Sequence, residues 1–183
     1  MPTYRSVNNP ILQPKDVPPS RPGYEVIGVI NTGVARLGNE VILLLRVVER
    51  PINTDPALTP VPIYDPQQND IVIKKLPKDA PGYDFSDPRV FLTPDGVYLS
   101  AISHLRAARS QDGVHFKVDA APALASANAY EAFGLEDPRV TPIDGVYYIT
   151  YVAVSDLGIV TSLASTPDFQ TYQRLAVIFP PDN

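Results

Sequence analysis

The residues with the clearest chemical potential are two carboxylates that open similar stretches, Asp87 in Ser86-Asp87-Pro88-Arg89-Val90 and Asp137 in Glu136-Asp137-Pro138-Arg139-Val140. A third stretch, Asn31-Thr32-Gly33-Val34, carries an amide where the other two carry aspartate. At 136–137 two carboxyls adjoin, and the run Tyr147-Tyr148-Ile149-Thr150-Tyr151 follows with the aromatic content that walls a sugar site. Carboxylates, an amide and arginines, without a metal-ligand cluster, a nucleophile triad or a Gly-rich phosphate loop, suit glycosidic bond cleavage, in which one carboxyl protonates the departing oxygen. An arginine two residues on shares a strand face with each aspartate. It can clasp the carboxylate in a purely structural pair, and it lowers the pKa of a group that would have to hold a proton. For Asp87 a clasp with Arg89 and a sugar contact are equally open readings, whereas the neighbouring Glu136 favours a chemical role for Asp137.

Composition narrows the alternatives. The 183 residues contain no cysteine, which removes disulfides, thiol nucleophiles and Cys-ligated zinc, and the two histidines, His104 and His115, are too few for a His-rich metal site. No cofactor and no metal are expected. Fifteen basic residues against 20 acidic ones, scattered rather than massed, give a formal charge of -5 and no nucleic-acid or membrane-surface footprint. Met1-Pro2-Thr3-Tyr4-Arg5-Ser6 leads into polar, Pro-rich sequence without an apolar core, and the longest apolar stretch, Val41 to Val48, is broken by Arg46, so a cytoplasmic protein is expected.

The elements that must position these residues are strands. Twenty-one prolines disfavour helices, and from Val26 onward short Val/Ile/Leu/Tyr-rich runs alternate with Gly, Asp, Asn or Pro turns. Ala120 to Phe133 is the best helix candidate. The stretch opening at Asp87 repeats at Asp137, an offset of 137 − 87 = 50, and the Asp-Gly turns at Asp95 and Asp144 follow at 144 − 95 = 49. About four short strands per copy is the size of a propeller blade. The reading is an all-β chain: an irregular lead-in over 1–24, then a partial β-propeller of four-stranded blades over 25–183, with three blades at about 26–80, 81–130 and 131–180. Proline in an innermost strand fits an edge without a pairing partner, and Asn31, Asp87 and Asp137 would then converge at the mouths of adjacent inner strands.

At these residues the chain resembles glycoside hydrolase family 130, the β-mannoside phosphorylases and β-1,2-mannosidases. The likeness runs through Asn9-Pro10-Ile11-Leu12, Asn31-Thr32-Gly33-Val34, Leu43-Leu44-Leu45-Arg46 and Gly134-Leu135-Glu136-Asp137-Pro138-Arg139-Val140-Thr141, followed by Asp144-Gly145-Val146-Tyr147-Tyr148. It implies a five-bladed propeller, an inverting mechanism on β-mannosides, and Asp137 as proton donor, in the phosphorylases often through a sugar hydroxyl. It further implies sugar contacts from Asn31, Arg46 and Asp87. His104 and Arg106 are lesser candidates, for which a surface or turn role competes. Arg174 is the candidate phosphate ligand if inorganic phosphate is the co-substrate. Asp156-Leu157-Gly158-Ile159-Val160, where the phosphorylases place an arginine, tilts the expectation toward hydrolysis. Three blades against five predict two missing blades, with Phe179-Pro180-Pro181-Asp182-Asn183 as a link to the next, a chain inactive by itself, and self-association across the open edge.

Overall fold

The structure, a computed structural model, describes residues 7–181. Residues 1–6 of the expected lead-in and Asp182-Asn183 of the expected link lie outside the described residues. The described chain is all-β: β1 (Tyr24–Leu37), β2 (Glu40–Pro51), β3 (Leu58–Asp65), β4 (Asp70–Pro77), β5 (Val90–Thr93), β6 (Gly96–Leu99), β7 (Ile102–Ser110), β8 (Lys117–Val118), β9 (Gly134–Ile143), β10 (Val146–Ser155), β11 (Gly158–Thr166) and β12 (Gln173–Phe179). Of the helix expected over 120–133, only a 3-10 turn at Ala129–Glu131 forms, capped by the Asn128 side chain accepting from the Tyr130 N–H. No helix among the described residues is long and apolar enough to cross a membrane.

The strand pairing is not the one that the tandem repeat predicts. The chief sheet runs β1-β2-β7-β9-β10-β11-β12, with β8 on β7, while β3-β4 and β5-β6 are separate hairpins. Strands from the stretch 81–130 are therefore divided: β5 and β6 stand apart, and β7 zips antiparallel onto β2 from Val41↔Ser110 to Glu49↔Ile102. Two four-stranded units result, β1-β2-β7-β8 and β9-β10-β11-β12, and the two hairpins are inserted between the second and third strands of the first. The turns bear this out. Ser110 and Asp112 build a side-chain-bonded turn after β7, with Asp112 accepting from the N–H groups of Val114 and His115. Thr166 and Asp168 build its counterpart after β11, with Asp168 accepting from Gln170 and Thr171.

Side-chain alternation along β2 and β7 sends two sets of residues to opposite faces. Leu44 and Leu105 meet Leu135, Ile149, Tyr151 and Ala153 of the second unit in the main core, where each fully buried aliphatic side chain contributes about 1.5–3 kcal/mol. Leu43, Leu45, Val47 and Ala108 face the other way, where Val17 of the lead-in covers them. Val61, Leu76 and Phe91 join the two hairpins in a smaller cluster.

One parallel bridge, Ser103↔Gly134, joins the two units. Gly134 has φ +112, and a Cβ there would lie 2.5 Å from both the backbone N and O of Ser103. Only glycine lets β7 and β9 approach this closely.

Candidate functional site

The site rests on two bulges. On β1 the pairing with β2 slips between Ile30↔Arg46 and Gly33↔Leu44, and on β9 the pairing with β10 slips between Arg139↔Thr150 and Glu136↔Val152. An extra residue in one strand turns a side chain out of the regular alternation. Asn31 (φ +46) and Asp137 (φ +50) occupy these places in the left-handed region that asparagine and aspartate tolerate best. Pro138 lies inside the bulge, where the ladder is interrupted and its missing N–H costs no bond.

The bulges bring together residues 106 positions apart. The Asn31 amide donates to Asp137 Oδ1 at 2.9 Å, and Arg46 Nη1 donates to the same oxygen at 2.8 Å. Arg46 Nη2 lies 2.5 Å from Glu136 Oε1, so one guanidinium spans the two adjoining carboxylates. Its Nε leans on Ser103 Oγ at 3.4 Å. Gly33 makes the crossing possible, since a Cβ there would come within 3.0 Å of the Pro138 carbonyl oxygen.

The two carboxyls titrate in opposite directions. Burial pushes Glu136 up, and the Arg46 charge only partly offsets it. Burial also pushes at Asp137, but the hydrogen bonds from Asn31 and Arg46, with the charges of Arg46 and then Arg139, outweigh it and hold Asp137 below the usual carboxylate value. The cation beside Asp137 is therefore chiefly Arg46. Arg139, expected on the same face, is exposed and donates to the Pro138 carbonyl, because the positive φ at Asp137 breaks the two-residue alternation.

The remaining sequence-selected residues are placed elsewhere. Asp87 precedes the β5-β6 hairpin and is clasped by Arg89, whose Nε and Nη2 donate to it at 3.1 and 2.9 Å. None of its hydrogen bonds reaches Asn31, Arg46 or Asp137. His104 and Arg106 are neither sugar-facing nor at a surface turn: both are buried mid-strand, on the face of β7 opposite to Arg46. Burial and the charges of Arg106 and Arg21 depress His104 to about 3. Its Nδ1 lies 3.2 Å from Glu49 Oε1, and Arg106 donates to the Pro18 carbonyl at 2.7 Å. With Ser20, which donates to Glu49 from backbone and hydroxyl, these residues fasten the lead-in to the sheet.

Arg174 also departs from its expected role. Its Nε and Nη2 are engaged by Glu131, at 3.0 and 3.1 Å, and by the Ala125 carbonyl, which makes it a structural partner of a fully buried carboxylate. Tyr151 lies in the core and donates to Glu131 rather than walling a sugar. Sequence reasoning passed over Ser103 and Gly134. The Gly immediately before Leu135-Glu136-Asp137 was the available signal for the second.

Beside Arg46 and Glu136 a cleft of about 640 Å³ opens between β1-β2 and the β5-β6 hairpin. Among the described residues no group of His, Cys, Asp and Glu could hold a metal ion. The arrangement can present two adjoining carboxyls, shifted in opposite directions and sharing one guanidinium, to a polar ligand.

Comparison with known proteins gives this geometry a context. The model of a glycoside hydrolase family, family 130, described as beta-1,4-mannooligosaccharide phosphorylase, matches residues 89–182. A beta-1,2-mannobiose phosphorylase of Listeria innocua is 40% identical over 184 residues, covering 98% of this chain and 52% of that protein. Its solved complex with beta-1,2-mannobiose superposes with a TM-score of 0.91 over the same shares. A 1,2-beta-oligomannan phosphorylase of a Thermoanaerobacter species is 40% identical over 63 residues, 34% of this chain and 21% of its own length. The chain thus spans about half the length of the first of these relatives and less of the second.

Proposed function

The chain belongs to glycoside hydrolase family 130, and on that premise we propose that it carries the acid-bearing part of an enzyme that cleaves β-mannosides by phosphorolysis with inversion, Asp137 acting as proton donor. The observation that carries this reading is the convergence of Asn31, Arg46 and Glu136 on Asp137 from two bulged strands. The curated relatives reported above are phosphorylases, which favours phosphorolysis over the hydrolysis expected from the segment 156–160. In this reading inorganic phosphate is co-substrate, and no cofactor is needed. Phosphate oxygen bonds to the anomeric carbon from one face while the glycosidic C–O bond breaks on the other. The departing oxygen takes the proton that Asp137 supplies, directly or through a sugar hydroxyl.

Because Arg46 is shared, its movement toward Glu136 would remove a bond that keeps the Asp137 pKa low. Sugar packed over Asp137 would deepen the burial that already pushes it up. Both changes favour the protonated acid. We read the two four-stranded units as adjacent blades of a propeller and the two hairpins as an insertion in the first. The charged sugar phosphate product suits a cytoplasmic location. The self-association expected from an open edge would use β12, last in the sheet order, where Val177 and Phe179 are exposed; a particle of twice the chain mass in light scattering is its expected signature.

The test is Asp137→Asn in a protein spanning the full length of the relatives. Phosphate-dependent turnover of β-1,2-mannobiose should fall by about 10²–10⁴. Retained turnover would end the assignment of Asp137, and turnover independent of phosphate would end the assignment to phosphorolysis.

A further inference from the structure

The face of β2 and β7 turned away from the main core is crossed by residues 14–23, which belong to no sheet. Pro14, Pro18, Pro19 and Pro22 stiffen this strap, since a fixed φ leaves each of them little freedom. Val17 is its one buried apolar anchor, set against Leu43, Leu45, Val47 and Ala108. Gly23, with φ +78 and open space where a Cβ would stand, joins the strap to β1. A stiff segment, a single anchor and a glycine joint are the parts of a cover that moves as one body.

Beside Val17 the seam under the strap is polar and incompletely paired. Ser20 donates to Glu49 from its N–H and its hydroxyl, at 2.9 and 2.8 Å, and Arg106 Nη1 donates to the Pro18 carbonyl at 2.7 Å. Among the described residues six buried side-chain nitrogen and oxygen atoms lack a hydrogen-bond partner, and all but Ser126 Oγ gather at this seam: Arg106 Nε and Nη2, His104 Nε2, Tyr24 OH and Arg21 Nε. Shutting such atoms from water forfeits the bonds they make in solvent, and a buried cation held by one bond is the costliest of them. Burial of Val17 and the Ser20 and Pro18 contacts favour closure, while rehydration of the orphaned atoms favours opening. We propose that residues 14–23 are a latched cover that opens about Gly23 at a free energy below that of global unfolding and bares the apolar row Leu43, Leu45 and Val47, with Ser20-Glu49 and Pro18-Arg106 as its latches. This concerns the first unit alone and is independent of the β-mannoside reading. It gives His104 and Arg106, which take no part in the acid site, a shared role.

Native-state amide hydrogen exchange of the whole chain, followed by NMR, tests the cover. The Val17 and Ser20 amides, bonded to the Pro14 carbonyl and to Glu49, should share one protection factor, at least about tenfold below that of the β10 and β11 amides. Glu49→Gln weakens the Ser20 latch and should speed exchange at both positions by about tenfold or more. Tyr24→Phe removes an orphaned hydroxyl and breaks no bond of the seam, so it should slow exchange at both by about tenfold, and it remains readable if Glu49→Gln does not fold. Val17 and Ser20 exchanging only together with β10 and β11 would overturn the cover. Unequal protection of the two, with different responses to denaturant, would overturn its opening as one body. Exchange in Tyr24→Phe as fast as in the unaltered chain, or faster, would overturn the role given to the underpaired seam.

Discussion

The same four residues, Asp-Pro-Arg-Val, occur at 87–90 and at 137–140 and are built into different structures. At 137 the aspartate lies in a bulge, partly buried, and its partners come from β1 and β2. At 87 it lies ahead of a free-standing hairpin and its partner is the arginine two residues on. The difference lies in the surroundings. Gly134 lets β9 run against β7, which places Asp137 beside Arg46. Nothing comparable precedes Asp87. A short motif therefore marks a turn-prone, polar strand opening, and the neighbours decide whether it becomes a site or a clasp.

The largest effect should come from the element that separates the two. Gly134→Ala would force a Cβ against the Ser103 backbone at φ +112, and should cost about 3 kcal/mol or more in denaturant unfolding. Gly96→Ala in the β5-β6 turn, with positive φ but open space, should cost about 1–2 kcal/mol. Equal costs would mean that the β7-β9 contact does not organise the first site.

Next come the two arginines. Arg46→Ala leaves Glu136 and Asp137 side by side without their shared cation, and should destabilise the chain by about 3 kcal/mol. Arg89→Ala removes an exposed partner and should leave the unfolding midpoint unmoved.

The third contrast is in pH. The folded pKa of Asp137 lies below its unfolded value, so its stabilisation is present above that unfolded value, about 4, and is lost as pH falls through the folded one. Glu136 is raised, so its contribution is complete below its unfolded value and lost as pH rises through the folded one. Asp137→Asn should reduce the gain in stability on going from pH 3 to neutrality, to which other aspartates with lowered pKa also contribute, and Glu136→Gln should reduce the opposing loss, which Glu49 shares. Denaturant unfolding at several pH values reads both. The smallest effect is on titration itself. Arg89→Ala should raise the Asp87 pKa only part of the way to the ordinary carboxylate value, since the backbone N–H groups of positions 89 and 90 still hold it down, whereas Arg139→Ala should barely move Asp137, since Asn31 and Arg46 remain. Carboxyl carbon NMR distinguishes the two.

Much was legible in the sequence because it depends on local chemistry. Alternating apolar runs, Asp-Gly turns and abundant proline require strands and hairpins, and Asn31 and Asp137 are residue types that tolerate the left-handed backbone of a bulge. Adjoining carboxyls at 136–137 marked the candidate acid, and the residues around them marked the family. Which strands pair is a long-range matter. The offset of 50 between two look-alike openings suggested tandem blades, but β7 returns to β2 across an inserted pair of hairpins, and no local pattern encodes that return. The same holds for which face a residue takes. His104 and Arg106 were drawn toward the site by their place after the second strand of an expected blade, yet strand register turns them to the opposite side of β7, where burial and the charges of Arg106 and Arg21 keep the imidazole neutral. Arg174 was assigned a phosphate, but the fold supplies Glu131. Sequence alone thus determined the strand-and-turn character, the family and the identity of the acid candidate, because these rest on backbone preference and residue chemistry. Only the tertiary structure decided which cation stands beside Asp137, since Arg46 arrives there by strand pairing and a glycine-permitted approach, 91 residues away in the chain.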